Sequence, residues 1–275
     1  MAENIITASS NKKIRQVQAL LEKGRARREA GCFAAEGWHL LEEAPAERLT
    51  EVYAARSCAE QAGEICAVKK LQSGEASIPF YVVEDRLFDK ISDTKTPQGV
   101  LCVVRMSDPD TEELIRPSDG GEPLFFLLDQ IRDPGNLGTI IRAGEAAGVT
   151  GIWLTDGCAD PYQPKVVRSA MGALYRMPVV RLAADGQLTE SVARWQRAGI
   201  RLYGTSLQAE QAYDMPDYRG GSAFVIGNES RGVRDQVLAL CDETVIIPMK
   251  GQVESLNAAI AASLMAFEAA RQRRS

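Results

Sequence analysis

The sequence contains a single histidine, His39, among 275 residues. Zinc sites built from several histidines are therefore excluded, and a Ser-His-Asp or Cys-His mechanism would have to use His39. That residue lies at the start of an apparent helix with no nucleophile motif near it, so we expect a structural or surface role. Any chemistry of this chain must therefore proceed without imidazole, and we predict no metal.

Other common signals are also missing. No apolar run approaches the length of a membrane span, and the N-terminus lacks a signal-peptide pattern. Neither G-x-G-x-x-G nor the P-loop pattern occurs, which disfavours a nicotinamide enzyme. No C-x-x-C pair occurs among the six scattered cysteines, Cys32, Cys58, Cys66, Cys102, Cys158 and Cys241. We therefore expect buried free thiols, no disulfide, and a cytoplasmic protein.

The total charge of −5 argues at first against a nucleic-acid partner, but the charge is unevenly distributed. Residues 1–28 carry seven Lys and Arg against two Glu, a local balance of +5. Three more arginines, Arg271, Arg273 and Arg274, lie near the C-terminus. A solvated helix face is the usual explanation of such runs. A local basic patch can nonetheless attract phosphate, because salt screens distant charges.

Strands alternate with helices along the chain, which predicts an α/β fold. A polar, Pro- and Gly-rich stretch at 105–123, with a short helix at 111–115, is interpreted as a linker between domains at 1–104 and 124–275. In the second domain, apolar strands are predicted at 124–129, 151–155, 177–181, 200–204, 223–227 and 244–248. Such runs are typical of a parallel sheet covered on both faces. Helices are predicted near 136–147, 164–173, 187–198, 232–240 and 255–272.

Three loops follow strands at the carboxyl edge, where parallel sheets bind their ligands. The first, 129–142, contains Asp-Pro-Gly-Asn-Leu-Gly and opens a helix, a position that can hold an anion. The second, 224–232, ends a strand in Gly-Asn-Glu-Ser. The third, 245–262, leads from a strand into a helix predicted to open at Glu254 or Ser255. Each loop alone is an ordinary connection, and Arg142 would ordinarily pair with a carboxylate.

Taken together, the loops resemble the SpoU (TrmH) family of RNA 2′-O-ribose methyltransferases, in the SPOUT class. The resemblance rests on segments in the family's order and spacing: 133–138 with Arg142, 160–173, 227–229, and 247–249 with 255–257. It covers 124–272 well. Residues 5–104 resemble the family's small ribosomal-protein-like, substrate-binding α/β domain, particularly at 33–37 and 92–99.

The resemblance implies a deep trefoil knot at the carboxyl end of a mostly parallel sheet, S-adenosylmethionine as cofactor, and a homodimer. Cofactor contacts, largely through backbone, are implied for Gly227, Ile247, Met249 and Leu256. Catalytic or substrate-orienting roles are implied for Asn136, Arg142, Glu229, Ser255 and Asn257. RNA contacts are expected from basic residues, namely Lys12, Lys13, Arg25, Arg27, Arg28, Lys165 and Arg168.

This chemistry suits a chain without usable histidine. A sulfonium donor is already activated by its own charge, so the protein has mainly to align the ribose hydroxyl and ease loss of its proton. A guanidinium holds its proton too tightly to be a good base, so we expect Arg142 to bind substrate phosphate and stabilise alkoxide charge. Ribosomal RNA is the favoured substrate. Transfer RNA, base methylation, and a non-catalytic RNA-binding relative are the alternatives.

Overall fold

The computed structural model describes residues 5–73, 78–253 and 255–274. Within these ranges the chain forms two compact units. The first unit joins the residues up to Ser107 with Tyr162–Tyr175, and the second joins Asp108–Pro161 with the residues from Arg176 onward. The domain boundaries placed at residues 104 and 124 stay a prediction, and the compact units differ from them in the placement of 162–175.

The described part of the first unit is built on a mixed sheet of four strands. Numbered along the chain, these strands are β1 (Cys32–Glu36), β2 (Leu49–Ala55), β3 (Phe80–Val83) and β4 (Val100–Arg105). Their order is β1-β4-β2-β3, with β4 antiparallel to both neighbours and β2 parallel to β3. The helices of this unit are α1 (Lys12–Glu22), α2 (Gly24–Ala30), α3 (Trp38–Glu43), α4 (Ala59–Ser73), α5 (Asp85–Ile91) and, from the later segment, α8 (Pro164–Ala170).

Helix α1 is amphipathic. Asn11 caps its first turn, and its buried side chains are Ile14, Val17, Leu20 and Leu21. Helix α2 was not predicted, because its sequence Gly-Arg-Ala-Arg-Arg-Glu-Ala has no apolar periodicity. Extended backbone at Lys23 separates the two helices.

The described residues of the second unit form a six-stranded sheet in which every pair is parallel, which confirms the predicted α/β class. Its strands are β5 (Leu124–Asp129), β6 (Gly151–Leu154), β7 (Val179–Arg181), β8 (Arg201–Thr205), β9 (Ser222–Gly227) and β10 (Glu243–Val245), in the order β10-β8-β9-β5-β6-β7. Its helices are α6 (Thr111–Ile115), α7 (Pro134–Ala147), α9 (Asp185–Arg197), α10 (Asp235–Leu238) and α11 (Ala258–Arg273).

Side chains from both faces of this sheet are buried. Phe125 packs with Trp153 and with Trp195 of α9 on one face. On the other face, α7 approaches closely, since a Cβ at Gly144 would lie 3.0 Å from the ring of Phe126. All six residues of β5 are buried, so its apolar run marks the centre of the sheet.

The structure corrects several predicted ends. Strand β10 stops at Val245 instead of 248, because the backbone of Ile246 leaves the sheet to bond with Gln211 and Tyr213. Helix α11 begins at Ala258 instead of Ser255, since Asn257 accepts the N–H groups of the first turn. Glu254 lies outside the described residues. The helix predicted at 232–240 contracts to α10, and that at 164–173 ends at Ala170, where Met171 is left-handed.

None of the described helices has both the length and the hydropathy needed to cross a membrane. The trefoil knot stays a prediction.

Candidate active site

The three loops meet at the carboxyl edge of the second unit's sheet. The last residue of β5, Asp129, lies opposite the last residue of β9, Gly227, in the parallel register. The loop after β10 lies two strands along the edge from β9, because β8 lies between β9 and β10. Parallel pairing therefore brings together segments that are far apart in the sequence.

Asn136 lies in the first turn of α7. Asp133 caps this helix by accepting the backbone N–H of Asn136 at 2.8 Å, and Pro134 starts the helix where no N–H is needed. The side chain of Asn136 donates from Nδ2 to Glu229 Oε1 at 2.8 Å. The capped turn therefore holds the amide toward the loop after β9.

Asn257 completes a directional chain of hydrogen bonds. Its Oδ1 accepts from the backbone N–H groups of Ala259 at 2.9 Å and Ile260 at 3.3 Å, which caps α11. Its Nδ2 then donates to Asn136 Oδ1 at 2.9 Å. Because the cap fixes which end of the Asn257 amide is oxygen, the Asn136 amide is also oriented, and Glu229 receives the last donor.

The loops also line a cavity of about 370 Å³. This volume lies within the usual range for small-ligand sites. All four residues with implied cofactor contacts line it, namely Gly227, Ile247, Met249 and Leu256. Glu229 and Ser255 line it as well, so two of the implied catalytic residues face the same space.

Gly227 is required by the backbone around it. A Cβ at this position would lie 2.2 Å from the carbonyl carbon of Gly232 and 2.2 Å from the nitrogen of Val233. The loop closes on itself here, since Asn228 and Gly232 exchange backbone hydrogen bonds of 3.0 and 2.9 Å. Any larger residue must therefore displace main chain.

Arg142 is not joined to this cluster. Its side chain is exposed on α7, and within the described ranges no residue forms a hydrogen bond or ion pair with it. The carboxylate partner ordinarily expected is thus missing from the described residues. Arg142 is also not one of the described residues that line the cavity.

Two family models match the chain. Residues 123–267 match the model described as the SpoU rRNA Methylase family, which is more than half of the chain. This chain belongs to the SpoU rRNA methylase family. Residues 11–102 match the MRM3-like substrate binding domain. The predicted family is therefore confirmed.

Relatives that match nearly the whole of this SpoU chain are also methyltransferases. The Bacillus subtilis 23S rRNA (guanosine(2553)-2'-O)-methyltransferase RlmP is 32% identical over 95% of this chain and 97% of that protein. The SpoU methyltransferase AviRb from Streptomyces viridochromogenes, solved with AdoMet, has a TM-score of 0.81 at 32% identity, covering 96% of this chain and 99% of that chain. An AdoMet-bound rRNA methyltransferase from Sinorhizobium meliloti has a TM-score of 0.79 at 30% identity and covers 97% of each chain.

In this SpoU chain, the basic residues expected to bind RNA all belong to the first unit, in different environments. Lys12 and Arg28 are exposed. Lys13 forms an ion pair with Glu51, which raises the pKa of its ammonium group. Arg25 pairs with Glu29 at 2.7 Å on an exposed face.

The structure corrects the prediction that Arg27 contacts RNA. Its side chain is only 3% exposed, and its Nη1 donates to the carbonyl oxygens of Leu20 at 2.7 Å and Leu21 at 3.1 Å. These carbonyls lie at the end of α1, where no intrahelical donor remains. Arg27 therefore fastens α2 to α1 and is not available to a phosphate.

Lys165 and Arg168 lie on α8, in the segment that joins the first unit. Arg168 Nη1 pairs with Asp93 Oδ2 at 2.8 Å. Asp93 belongs to a loop held by the buried Glu36, which accepts from the hydroxyl of Thr94 at 2.8 Å and from the backbone N–H of Asp93 at 3.2 Å. The two segments that resemble the family's substrate-binding domain, 33–37 and 92–99, are thus joined by hydrogen bonds.

The sequence did not reveal a buried ionic network beside the site. Asp129, fully buried, accepts from the backbone N–H of Arg234 and from its Nε, both at 2.9 Å. The hydrogen bond to Asp129 raises the pKa of the Arg234 guanidinium. Thr155 adds a hydrogen bond of 3.0 Å to the same carboxylate. The sequence did show a carboxylate, Asp129, at the end of an apolar strand. It did not show the partner, because Arg234 lies 105 residues further along the chain.

Among the described residues, no group of three His, Cys, Asp or Glu side chains is placed to hold a metal ion. The six cysteines are free, as predicted, but Cys66 and Cys102 alone among them are buried and the other four are half-buried.

Proposed function

We propose that this protein transfers the methyl group of S-adenosylmethionine to a ribose 2′-hydroxyl of ribosomal RNA. The observation that carries the proposal is the hydrogen-bond chain from Asn257 through Asn136 to Glu229, whose last member lines the cavity. The names of full-length relatives support it, since RlmP is a 23S rRNA 2'-O-methyltransferase and AviRb was solved with AdoMet.

The chemistry of the cavity wall fits S-adenosylmethionine. Leu207, Ile246 and Leu256, which are not buried, supply apolar surface for the uncharged part of such a ligand. Residues 247–249 belong to no helix or strand, so their backbone groups can bind its polar parts. Gly227, Ile247, Met249 and Leu256 would hold the cofactor. When bound, it supplies a methyl group on a positively charged sulfur, open to in-line displacement.

Glu229 is the acceptor that the ribose hydroxyl would meet. Its Oε1 accepts from Asn136 and its Oε2 accepts from Asn228 at 3.3 Å, so both oxygens are held in place and each retains a further lone pair. A ribose O–H that donates to this carboxylate is oriented, and loss of its proton is eased as the new bond forms.

The two asparagines serve the same substrate as donors. Each Nδ2 donates one of its two hydrogens within the chain of hydrogen bonds. The second hydrogen on Asn136 and on Asn257 can be donated to oxygens of the ribose or its phosphate. Ser255, exposed and on the cavity wall, adds a hydroxyl near the same space.

Arg142 is proposed to bind the substrate phosphate and stabilise alkoxide charge. Its guanidinium is exposed and has no carboxylate partner among the described residues, so its N–H donors can bind a phosphate. As a guanidinium it has no acceptor, so proton removal belongs elsewhere.

RNA capture is proposed for the first unit, which contains the match to the MRM3-like substrate binding domain. Lys12, Arg25 and Arg28 are exposed there and can reach phosphate, in contrast to the buried Arg27. Lys165 and Arg168 on α8 extend the same proposal to the later segment of this unit.

A homodimer is proposed through α11. Ile260, Ser263, Leu264 and Phe267 recur at helical spacing and, with Tyr213, line an open apolar groove. Ile260 is 52% exposed and Phe267 is 48% exposed. A second copy presenting the same stripe would bury both, as in a two-fold symmetric interface.

The test is labelled-methyl transfer from S-adenosylmethionine into separated ribosomal and transfer RNA fractions, followed by nuclease mapping. We expect label in ribosomal RNA, on a ribose. Label in transfer RNA alone, or on a base, would replace this proposal with one of the alternatives. RNA carrying a single 2′-deoxy substitution at the mapped nucleotide should accept no methyl group. The cytoplasmic location stays a prediction.

A further inference from the structure

Asn228 uses every hydrogen-bonding group of its side chain. Its Nδ2 donates to the carbonyl oxygen of Gln130 at 2.9 Å and to Glu229 Oε2 at 3.3 Å. Its Oδ1 accepts from the backbone N–H groups of Ser230 at 3.1 Å and Arg231 at 3.3 Å. A flipped amide would set its oxygen against a carbonyl and a carboxylate, so the orientation is fixed.

The carbonyl of Gln130 is itself held in place. Gln130 has a φ of 57°, a left-handed conformation that a residue with a side chain adopts only when its surroundings impose it. Its backbone N–H donates to Thr155 Oγ1 at 3.1 Å, and that hydroxyl donates to Asp129 Oδ1 at 3.0 Å. The strain at Gln130 thus directs its carbonyl toward Asn228.

The loop after β9 is therefore tied to the end of β5 at two points. Asn228 holds one end of the loop through Gln130, and Arg234 holds the other through the buried Asp129. The residues between them include Glu229, Ser230 and Arg231, all on the cavity wall. A loop fixed at both ends presents the Glu229 carboxylate in one position before any ligand arrives.

We propose that Asn228 is a positioning residue for methyl transfer, which acts by holding the Glu229 carboxylate in the orientation that receives the ribose hydroxyl. This inference rests on the proposed function of the same site. Asn136 fixes Oε1 and Asn228 fixes Oε2, so the carboxylate cannot rotate without losing one of two donors. Preorganisation of this kind affects the rate of the chemical step more than the binding of the cofactor.

The variant Asn228→Asp separates positioning from loop structure. Aspartate keeps the oxygen that accepts from Ser230 and Arg231, so the loop retains its turn. It loses the donor and sets a negative charge against Glu229 Oε2 and the Gln130 carbonyl. We expect kcat for methyl transfer to fall roughly a hundredfold, as for a reacting group displaced by about 1 Å. The affinity for S-adenosylmethionine, measured by calorimetry, should stay near that of the wild-type protein.

Gln187→Glu is the matched control. It makes the same amide-to-acid change at an exposed position of the second unit and keeps the oxygen that accepts from the backbone N–H of Ala183. Its kcat should equal that of the wild type. An unchanged kcat in Asn228→Asp would overturn the proposal, and so would a parallel loss of cofactor affinity and melting temperature, which would make the residue structural only.

A double-mutant cycle with Glu229→Gln tests whether Asn228 acts through Glu229. In that background, adding Asn228→Asp should cause little further loss of kcat, because the new carboxylate can accept from the new amide. Multiplicative losses would contradict the proposal. Thr155→Val should lower kcat by releasing Gln130, and Thr155→Ser should restore it, because serine keeps the hydroxyl.

The position of the carboxylate can also be measured without activity. Crystal structures of the wild type and Asn228→Asp should show Glu229 turned away from residue 228 in the variant, with the loop backbone unchanged. An unmoved carboxylate would overturn the positioning role, whatever RNA the enzyme accepts. Failure of the wild type to methylate any RNA would instead count against the proposed function.

Discussion

The side-chain amide of Asn136 donates a 2.8 Å hydrogen bond to the carboxylate of Glu229, although 93 residues separate them in the sequence. The contact joins the first turn of α7 to the loop after β9, and Asn257 extends it to the start of α11. Three chain segments thus determine the orientation of one carboxylate. A substitution in any of the three should therefore affect the same group.

Replacing Asn136 with alanine should reduce methyl transfer without loss of cofactor binding. The Asn136→Ala variant removes the donor to Glu229 and the acceptor for Asn257, while the described residues that line the cavity do not include Asn136. We expect the rate constant of methyl transfer, measured in single-turnover assays, to fall about a hundredfold. Thr139→Ala, on the exposed face of the same helix, is the control. A proportional loss of cofactor affinity would contradict this assignment.

Gly227→Ala should unfold the loop, and not only block a ligand. Its Cβ would meet the main chain of Gly232 and Val233 at 2.2 Å. We expect cofactor binding to be lost together with a fall in melting temperature of several degrees, the effect of a destabilisation of about 1 kcal/mol or more. Gly186→Ala, where a Cβ meets nothing within 4 Å, should leave both unchanged. A fully stable Gly227→Ala would show that the loop can open at little cost.

Arg142→Ala should keep cofactor affinity and lose most methyl transfer, on the order of a hundredfold or more if the guanidinium stabilises charge in the transition state. Arg142→Lys should recover little, because an ammonium cannot reproduce the planar fork. Calorimetry and single-turnover rates measure the two effects separately. A lysine variant with full activity, or an alanine variant without cofactor binding, would refute this role.

The salt dependence of RNA binding should report the exposed basic residues of the first unit. Replacing Lys12, Arg25 and Arg28 with alanine should flatten the slope of log K against log salt by up to about 0.9 for each phosphate that the protein no longer neutralises. The control removes three exposed arginines of the second unit, Arg116, Arg197 and Arg219. Equal slopes in the two triple variants would mean that the basic patch is a solvated face.

Phe267→Glu should produce a monomer. The substitution places a charge in the apolar groove of α11 proposed as the dimer interface, where Ile260 and Leu264 are its neighbours. Light scattering on the purified protein should show a dimer for the wild type and half that mass for the variant. Val68→Glu, at an exposed apolar position of the first unit, is the control. A monomeric wild type at micromolar concentration would exclude the proposed interface.

Local sequence signals predicted much of the fold. The strand at 124–129 and the helix at 111–115 have the predicted ends, because turn residues bound both segments. The start of α11 was misplaced, since Ser255 and Asn257 are both good helix caps and the sequence does not rank them. Helix α2 was missed because tertiary contacts of Arg27 stabilise it, not apolar periodicity.

For the site, the three loops singled out in the sequence line one cavity, but the motifs did not show how these loops are joined. The directions of the Asn257 and Asn136 amides depend on a helix cap, and the Asp129–Arg234 pair depends on sheet register. The cap itself is local, but the Asn257–Asn136 hydrogen bond spans 121 residues and the Asp129–Arg234 pair spans 105 residues. Contacts of this kind cannot be read from local spacing.

The placement of Tyr162–Tyr175 in the first unit has a consequence for biosynthesis. The ring of Tyr162 packs at a tilt against that of Phe33, with their centroids 4.9 Å apart. Tyr175 donates to the Leu40 carbonyl at 2.9 Å, and its own carbonyl accepts from Arg48 at 2.9 Å. Tyr162 and Tyr175 emerge from the ribosome long after β1 to β4. The first unit therefore completes its packing late in translation, and a gene fragment ending at Ser107 encodes it with part of its interior missing.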